Sequence, residues 1–124
     1  MNEEAIQAEV LDASKRWISD FNQGNIKSCS ERYLIDAVME ARPMGRFEGR
    51  KPIHNFWNEF IHETNATDLQ YFDININVVN EHAAILSAKW TMNVGRGFIA
   101  KELWKKAGDN WFLADDDFTV EAQY

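Results

Sequence analysis

Apolar residues recur every three or four positions along the first half of the chain, which is the spacing of amphipathic helices. A first helix is predicted over residues 3–23, with Gly24 at the position where helices commonly end. Its apolar stripe consists of Ile6, Val10, Ala13, Trp17 and Phe21. A short second helix is predicted over about 26–33 and a third over 51–63, where Pro52 stands in the first turn and its missing N–H is not needed.

Strict alternation of apolar and polar residues is the pattern of half-buried strands, and it occupies most of the remaining chain. The predicted strands cover residues 36–42, 69–79, 84–94, 98–106 and 111–120. Short turns join the last four strands, so these should form an antiparallel meander. The order of elements predicts one α+β domain over residues 1–124, with three N-terminal helices covering one face of a curved, mostly antiparallel sheet.

Three adjacent aspartates, Asp115, Asp116 and Asp117, stand inside the last predicted strand, although strands disfavour Asp and like charges repel. Alternation puts Phe112, Ala114, Asp116, Phe118 and Val120 on one face, and Trp111, Leu113, Asp115 and Asp117 on the other. Asp116 is then the single acid on an otherwise apolar face. It is either a functional group in a pocket or a solvated carboxylate where the strand runs past the sheet.

Glu102 has the same signature, because alternation places Phe98, Ala100 and Trp104 on its own face. A short turn over residues 107–110 joins its strand to the aspartate strand, so the two strands should be antiparallel neighbours. The register of that turn decides whether Glu102 lies opposite Asp116 or opposite Asp115.

Two carboxyl groups that share an apolar cavity cannot both ionise easily, so one of them should have a raised pKa and stay protonated. Such a pair could perform acid/base catalysis, and Asp116 and Glu102 are the candidate catalytic residues. A surface location, with Glu102 paired to Lys89 or Lys105, is the alternative. Asp115 and Asp117 share a face and could hold a hard cation, but no further ligands at suitable spacing support a metal site.

Composition narrows the class of partner. The net charge is -7 and the isoelectric point is near 4.9, which argues against nucleic acid or an anionic membrane. No apolar run approaches the ~18 to 20 residues of a membrane span. The lone Cys29 rules out an internal disulfide and fits a reducing compartment, so a cytoplasmic location is expected. No Gly-rich phosphate loop is present, and no cofactor is expected.

Four stretches carry a resemblance to a known family: "WISDFNQGNI", "YLIDAVM", "GRFEGRKPIHNFW" and "ELWKKAGDNWFL". Their order resembles the NTF2-like superfamily, the α+β cone of ketosteroid isomerases, scytalone dehydratase and SnoaL-like polyketide cyclases. Matching features are the Asn22 to Asn25 helix end, the Asp36-Ala37 pair, Gly49 before the third helix, and the segment from Trp104 to Trp111. The resemblance covers nearly the whole chain and implies a deep apolar pocket between helices and sheet.

The resemblance also implies that this sequence lacks some of the catalytic residues of the ketosteroid isomerases. Their base position falls on Ala41, which cannot accept a proton, and their tyrosine position falls on Trp17, which can donate only through its indole N–H. Their hydrogen-bonding acid falls on or beside Glu102. Isomerisation of the steroid type is therefore disfavoured.

These observations predict a SnoaL-like protein that binds a small, mostly apolar or aromatic molecule and isomerises, cyclises or dehydrates it without a cofactor. The alternative is a ligand-binding or dimeric assembly module with no chemistry. The predicted pocket lining comprises Trp17, Phe21, Met39, Ala41, Phe56, Trp57, Phe72, Trp90, Trp104 and Phe118. The resemblance further implies a homodimer through the convex sheet face, with Ile85, Val79, Leu113 and Trp111 at its apolar centre.

Overall fold

A computed structural model describes all 124 residues and contains three helices and six strands. They are α1 (Glu3–Asn22), α2 (Ile26–Glu31), β1 (Tyr33–Arg42), β2 (Gly45–Glu48), α3 (Arg50–Thr64), β3 (Gln70–Asn80), β4 (Ala83–Met92), β5 (Gly95–Ala107) and β6 (Asn110–Gln123). The predicted α+β class and the order of elements are confirmed. The second helix is shorter than predicted, because the chain becomes extended at Tyr33, which begins β1.

Short polar residues and left-handed backbone mark the helix ends. The side chain of Asn2 accepts a hydrogen bond from the Ala5 N–H at 3.0 Å, and Asn25 caps α2 in the same way at 3.3 Å from the Ser28 N–H. Helix α3 ends at Asn65, whose φ of 54° is left-handed, a conformation that Asn tolerates better than most residues. None of the three helices combines the length and hydropathy that crossing a membrane requires.

The six strands form one sheet in the order β2-β1-β6-β5-β4-β3. Strands β1 and β6 are parallel, and every other neighbouring pair is antiparallel. One face of this sheet packs against the helices in a single core that includes Val10, Phe21, Ile53, Leu86 and Trp104. We call this the inner face, and the opposite one the outer face.

A β-bulge in β6 reverses half of the predicted face assignment. Trp104 pairs with Leu113, but Leu103 pairs with Asp115, so Ala114 is an extra residue without a partner. Trp111 and Leu113 therefore lie on the inner face, where both are buried, together with Asp116. The prediction that Phe112 and Ala114 share the face of Asp116 was wrong, and so was the placement of Trp111 and Leu113 at an outer dimer centre.

A second bulge lies in β5. Ile99 pairs with Phe118 and Lys101 pairs with Asp117, so Ala100 is the extra residue. Ile99 therefore points inward, as Glu102 and Trp104 do. Phe98 lies on the outer face with 38% of its surface exposed, which contradicts its predicted place beside Glu102.

A third irregularity, at Asp73 in β3, reverses which of two adjacent aromatic residues faces inward. Asp73 adopts a left-handed φ of 52°, and the register with β4 shifts at this point. Phe72 lies opposite Lys89 and is 44% exposed, so its predicted place in the pocket was wrong. Tyr71, opposite Trp90, points inward instead.

Gly97 of β5 allows the closest packing in the inner face. A Cβ atom there would collide with the Thr119 carbonyl oxygen and lie 2.7 Å from Cζ2 of Trp90. We expect Gly97→Ala to lower the free energy of unfolding by about 3 kcal/mol, because neither the backbone nor a buried indole can move away easily. Urea unfolding measures this loss.

Gly108→Ala is the matched control. Gly108 has a φ of 62° but no atom within 4 Å of the added Cβ, so only backbone strain of about 1 kcal/mol is expected. Equal losses in the two variants would contradict the packing argument.

Candidate functional site

Asp116 is buried on β6 and held by a tyrosine. The Tyr33 hydroxyl donates to Oδ2 of Asp116 at 2.7 Å, and Nε1 of Trp57 donates to the Tyr33 oxygen at 3.2 Å. Only 5% of the Asp116 surface is exposed, and its side chain lines a cavity between the helices and the sheet. Because Tyr33 occupies Oδ2, the other carboxyl oxygen remains available to a ligand.

Glu102 is held by a second tyrosine, Tyr71 of β3, which lies two strands away from β5 in the sheet. The Tyr71 hydroxyl donates to Oε2 of Glu102 at 2.8 Å, and Nε1 of Trp104 donates to Oε1 at 2.9 Å. Glu102 is 3% exposed and does not line the cavity, whereas Tyr71 does. Tyr71 therefore connects Glu102 to the cavity.

The two carboxyl groups face each other across β5 and β6, since Glu102 and Asp116 are direct partners in the register. Burial raises the pKa of Glu102 to about 7, against the opposing effect of hydrogen bonds from Trp104, Tyr71 and Ser14. Burial, and then the nearby Glu102 charge, raise the pKa of Asp116 well above its ordinary value. Both carboxyl groups therefore resist ionisation, and Glu102 titrates near pH 7.

The flanking aspartates lie on the outer face and form ion pairs. Asp115 is 2.8 Å from Nζ of Lys101, and Asp117 accepts two hydrogen bonds from Arg42, at 3.0 and 3.2 Å. No group of three or more His, Cys, Asp or Glu side chains is placed to hold a metal ion. The hypothesis of a cation between Asp115 and Asp117 is therefore unsupported.

The cavity wall includes six of the ten residues predicted to line the pocket. They are Trp17, Phe21, Phe56, Trp57, Trp90 and Phe118. Met39, Ala41 and Trp104 are buried in the core but off the wall, and Phe72 is on the outer face. Apart from Asp116, the wall is hydrophobic, with Tyr71 among its members.

Packed aromatic rings keep the inner cavity small. Trp57 stacks on Phe118 at a centroid distance of 5.5 Å, and Trp17 meets the Trp57 ring edge-on at 5.4 Å. The volume is about 40 Å³, enough for a few water molecules but far below the ~300 Å³ of a small ligand site. A groove of about 280 Å³ adjoins it and shares Phe60, Trp90, Met92 and Val120 with its wall.

The sequence matches no protein-family profile and no curated protein. Solved structures do match over most of the chain. A scytalone dehydratase-like protein from Novosphingobium aromaticivorans has a TM-score of 0.85 at 10% identity, with 98% of this chain and 88% of that chain covered. An NTF-2-like protein of unknown function from Shewanella oneidensis has a TM-score of 0.76 at 14% identity, with 91% and 98% covered. The fold is NTF2-like.

A third similar structure illustrates how little the NTF2-like fold decides about function. It is a Xanthomonas campestris protein resembling the association domain of calcium/calmodulin-dependent protein kinase II, with a TM-score of 0.78, 12% identity, and 90% and 85% of the two chains covered. An enzyme-like protein, a protein of unknown function and an assembly-type domain thus share this architecture. Function has to be argued from the side chains of this chain.

Within the NTF2-like frame, the sequence analysis missed the two tyrosines. Tyr33 fell at the end of the predicted second helix, and strict alternation from Phe72, which was predicted to line the pocket, leaves Tyr71 on the opposite side of its strand. The inward direction of Tyr71 could have been suspected from Asp73, because Asp tolerates left-handed backbone and can mark a bulge that reverses the alternation of a strand. No local pattern indicated that Tyr33 would lie beside Asp116, 83 residues away.

The raised pKa of Asp116 predicts a pH-dependent effect of Asp116→Asn. Because folding raises the pKa of this carboxyl, the folded protein holds the proton more tightly than the unfolded chain does, and this group lowers wild-type stability as pH rises above ~3.9. Asparagine does not titrate and can still accept from Tyr33. We expect the variant to be more stable than wild type at pH 7.5, and we expect this gain to disappear near pH 3, where the carboxyl is protonated in the unfolded chain as well.

Urea unfolding at the two pH values measures this difference, and Asp117→Asn is the control. Asp117 lies on the outer face beside Arg42, so its amide should give no gain at pH 7.5. If Asp116→Asn were the less stable protein at pH 7.5, Asp116 would be an ionised structural partner instead.

Proposed function

We propose that the protein binds a small, mostly apolar carbonyl compound and converts it by cofactor-free proton transfer, in an isomerisation, cyclisation or dehydration. The observation that carries this proposal is the Asp116 carboxyl on the wall of an aromatic cavity, where burial and the nearby Glu102 charge raise its pKa well above its ordinary value. A carboxyl group kept protonated at neutral pH can donate to a carbonyl oxygen and stabilise the negative charge that develops there. A solvated aspartate could not do so.

The geometry around Asp116 supports the role of acid. Tyr33 donates to Oδ2, so the acidic proton resides on the oxygen that Tyr33 leaves free. Trp57 fixes the Tyr33 hydroxyl, which orients the carboxyl plane. Asp116 therefore meets a ligand with a defined donor, as general-acid catalysis requires.

Tyr71 and Glu102 supply the base in this proposal, since Ala41 cannot. A proton released from the carbon next to the carbonyl passes to the Tyr71 oxygen, while the Tyr71 hydroxyl proton moves to Glu102 along their 2.8 Å hydrogen bond. A pKa of about 7 leaves Glu102 sufficiently ionised to accept that proton and sufficiently basic to drive the step. Tyr71 is thus a relay, and Glu102 acts behind it.

A ligand-binding or assembly module without chemistry is the second candidate, and one observation favours it. The aromatic rings leave only about 40 Å³ of inner cavity, so a substrate reaches Asp116 only after ring side chains move. A protein that never opened this cavity would keep the same fold and core.

Deuterium exchange separates the two candidates without knowledge of the product. In D₂O the protein should accelerate exchange of the C2 protons of 1-indanone, followed by NMR. We expect Asp116→Asn and Tyr71→Phe to reduce the acceleration by about 10² or more, because each removes one of the proton-transfer groups. Asp117→Asn, on the outer face, should retain the wild-type rate. Binding of 1-indanone without any exchange would leave the non-catalytic module as the function.

We also propose that the outer face of the sheet forms a homodimer. Phe72 and Phe98 flank Lys89 in the strand register and are both exposed, and Ile85 and Leu103 form a second opposed pair on the same face. These four residues replace Trp111 and Leu113 as the apolar centre.

Sedimentation of the wild type and of Phe98→Glu tests the dimer. We expect a dimer that the new carboxylate dissociates, since a charge at a desolvated interface is strongly unfavourable. Asp109→Glu, in the turn between β5 and β6, is the control and should sediment like wild type. A monomeric wild-type protein would refute this interface.

A further inference from the structure

The two carboxyl oxygens of Glu102 accept hydrogen bonds from donors of different kinds. Oε2 accepts from the Tyr71 hydroxyl at 2.8 Å, and Oε1 accepts from the Trp104 indole at 2.9 Å. A phenol hydroxyl can donate or accept, whereas an indole N–H can only donate. The hydrogen bond with Tyr71 can therefore reverse its direction, and the hydrogen bond with Trp104 cannot.

This difference decides which oxygen of Glu102 can take up a proton. A proton on Oε1 would occupy the oxygen to which Trp104 donates, and it would weaken that hydrogen bond at a side chain that is only 3% exposed. A proton on Oε2 can instead be donated to the Tyr71 oxygen, while Oε1 continues to accept from Trp104. Only protonation at Oε2 preserves both hydrogen bonds.

We propose that Trp104 is a positioning residue that confines the transferred proton to Oε2 of Glu102, the oxygen that Tyr71 contacts. This inference rests on the proposed function and adds to it the residue that directs the base. When Tyr71 takes a proton from the ligand carbon, its own hydroxyl proton passes to Oε2, so Glu102 becomes neutral and the ligand gains the negative charge. The return of the Oε2 proton to Tyr71 restores the carboxylate.

Strand β5 holds Trp104 in the position that this role requires. Glu102 and Trp104 are two residues apart and face inward together, and their pairing with Leu86 and Ala84 of β4 is regular. Trp104 is 1% exposed, so close packing restricts rotation of its indole. The donor is thus part of the same strand as the acid that it orients.

The other groups around Glu102 determine how its titration is interpreted. The side chains that face it from neighbouring elements are Asp116 of β6, Leu86 of β4, Tyr71 of β3 and Ser14 of α1. Of these, Asp116 and Tyr71 titrate, and burial raises the pKa of both well above the ordinary values. Donation from Trp104 stabilises the ionised form of Glu102 and thereby lowers its pKa. Loss of this donor should therefore raise the pKa of Glu102.

The indole resonances of ¹⁵N-labelled wild type locate the proton without any substrate. Trp111, which donates to a carboxylate at 2.9 Å, marks the position of a bonded indole, and Trp17 and Trp90, which have no acceptor, mark that of an unbonded one. We expect the Trp104 resonance to remain near the bonded position as the pH is lowered from about 9 to about 5, through the titration of Glu102. Movement to the unbonded position would place the proton on Oε1 and overturn the proposal.

Trp104→Phe removes the donor and gives two further readouts. The midpoint of the Glu102 titration, followed through its ¹³Cδ resonance, should rise by about one pH unit, because a hydrogen bond to a charged oxygen is lost. The acidic limb of the pH profile for deuterium exchange of 1-indanone should move upward with it, so that the rate at pH 7 falls about fivefold. A role in packing alone would lower stability without moving either midpoint.

Trp111→Phe is the matched control. It removes an indole N–H that donates to the Glu9 carboxylate at the same distance of 2.9 Å, and Trp111 is not on the cavity wall. Both midpoints should stay at their wild-type values in this variant. Because phenylalanine leaves unfilled space at a fully buried position, a second replacement of Trp104 by 3-benzothienylalanine keeps the ring size and substitutes sulfur for the N–H.

The outcomes separate this inference from the proposed function. An unchanged Glu102 midpoint in both Trp104 variants would overturn the inference, and so would an equal rise in Trp111→Phe. A raised Glu102 midpoint with a wild-type exchange profile would show that Glu102 is not the base that Trp104 directs, and the inference would also fail. If wild type exchanged no proton of 1-indanone, the proposed function would fail, and the indole and ¹³C titrations would still decide which oxygen Trp104 leaves to the proton.

Discussion

Two carboxyl groups buried opposite each other are the constraint on which the rest of this structure depends. Asp116 and Glu102 lie on adjacent strands in the core, where a charge is costly and two charges cannot coexist. Each is held by a tyrosine hydroxyl, Tyr33 from β1 and Tyr71 from β3. These tyrosines come from strands on either side of the β5–β6 pair. The hydrogen bonds of the two acids therefore connect β1 to β6 and β3 to β5 on the inner face.

Irregular strand geometry makes this arrangement possible. A strand with uniform alternation could not direct Trp111, Leu113 and Asp116 inward together; the bulge at Ala114 does so. The corresponding bulge at Ala100 brings Ile99 to the same face as Glu102. Bulges also increase the local twist of a strand. The two bulges that direct the acids inward therefore also help to curve the sheet around the cavity.

The sequence predicted the elements but only part of the site, and the reason is the range of each interaction. Helix and strand periodicity depends on neighbours along the chain, so the order of elements and the α+β class could be inferred locally. The inward side chains of β3, β5 and β6 depend on bulges, which reverse alternation midway, so Phe72 and Phe98 were placed on the wrong face. Asp116 and Glu102 were singled out as isolated acids in apolar runs. Tyr33 gave no such signal, because its role exists only once β1 lies beside β6.

Three unfavourable features coincide in one cavity, and their coincidence is the strongest argument for a ligand there. The residues around it include an acid with a strongly raised pKa and two tryptophans whose buried N–H groups have no acceptor, and the side chains leave part of the space unfilled. Each lowers the stability of the free protein, and every other buried side-chain nitrogen or oxygen atom has a hydrogen-bond partner. A ligand with a carbonyl oxygen would relieve the first and the last of these, by accepting from the acid and by filling the space. A core built only for stability would need neither a buried acid nor unpartnered indoles, since phenylalanine and leucine could replace these side chains and fill the space.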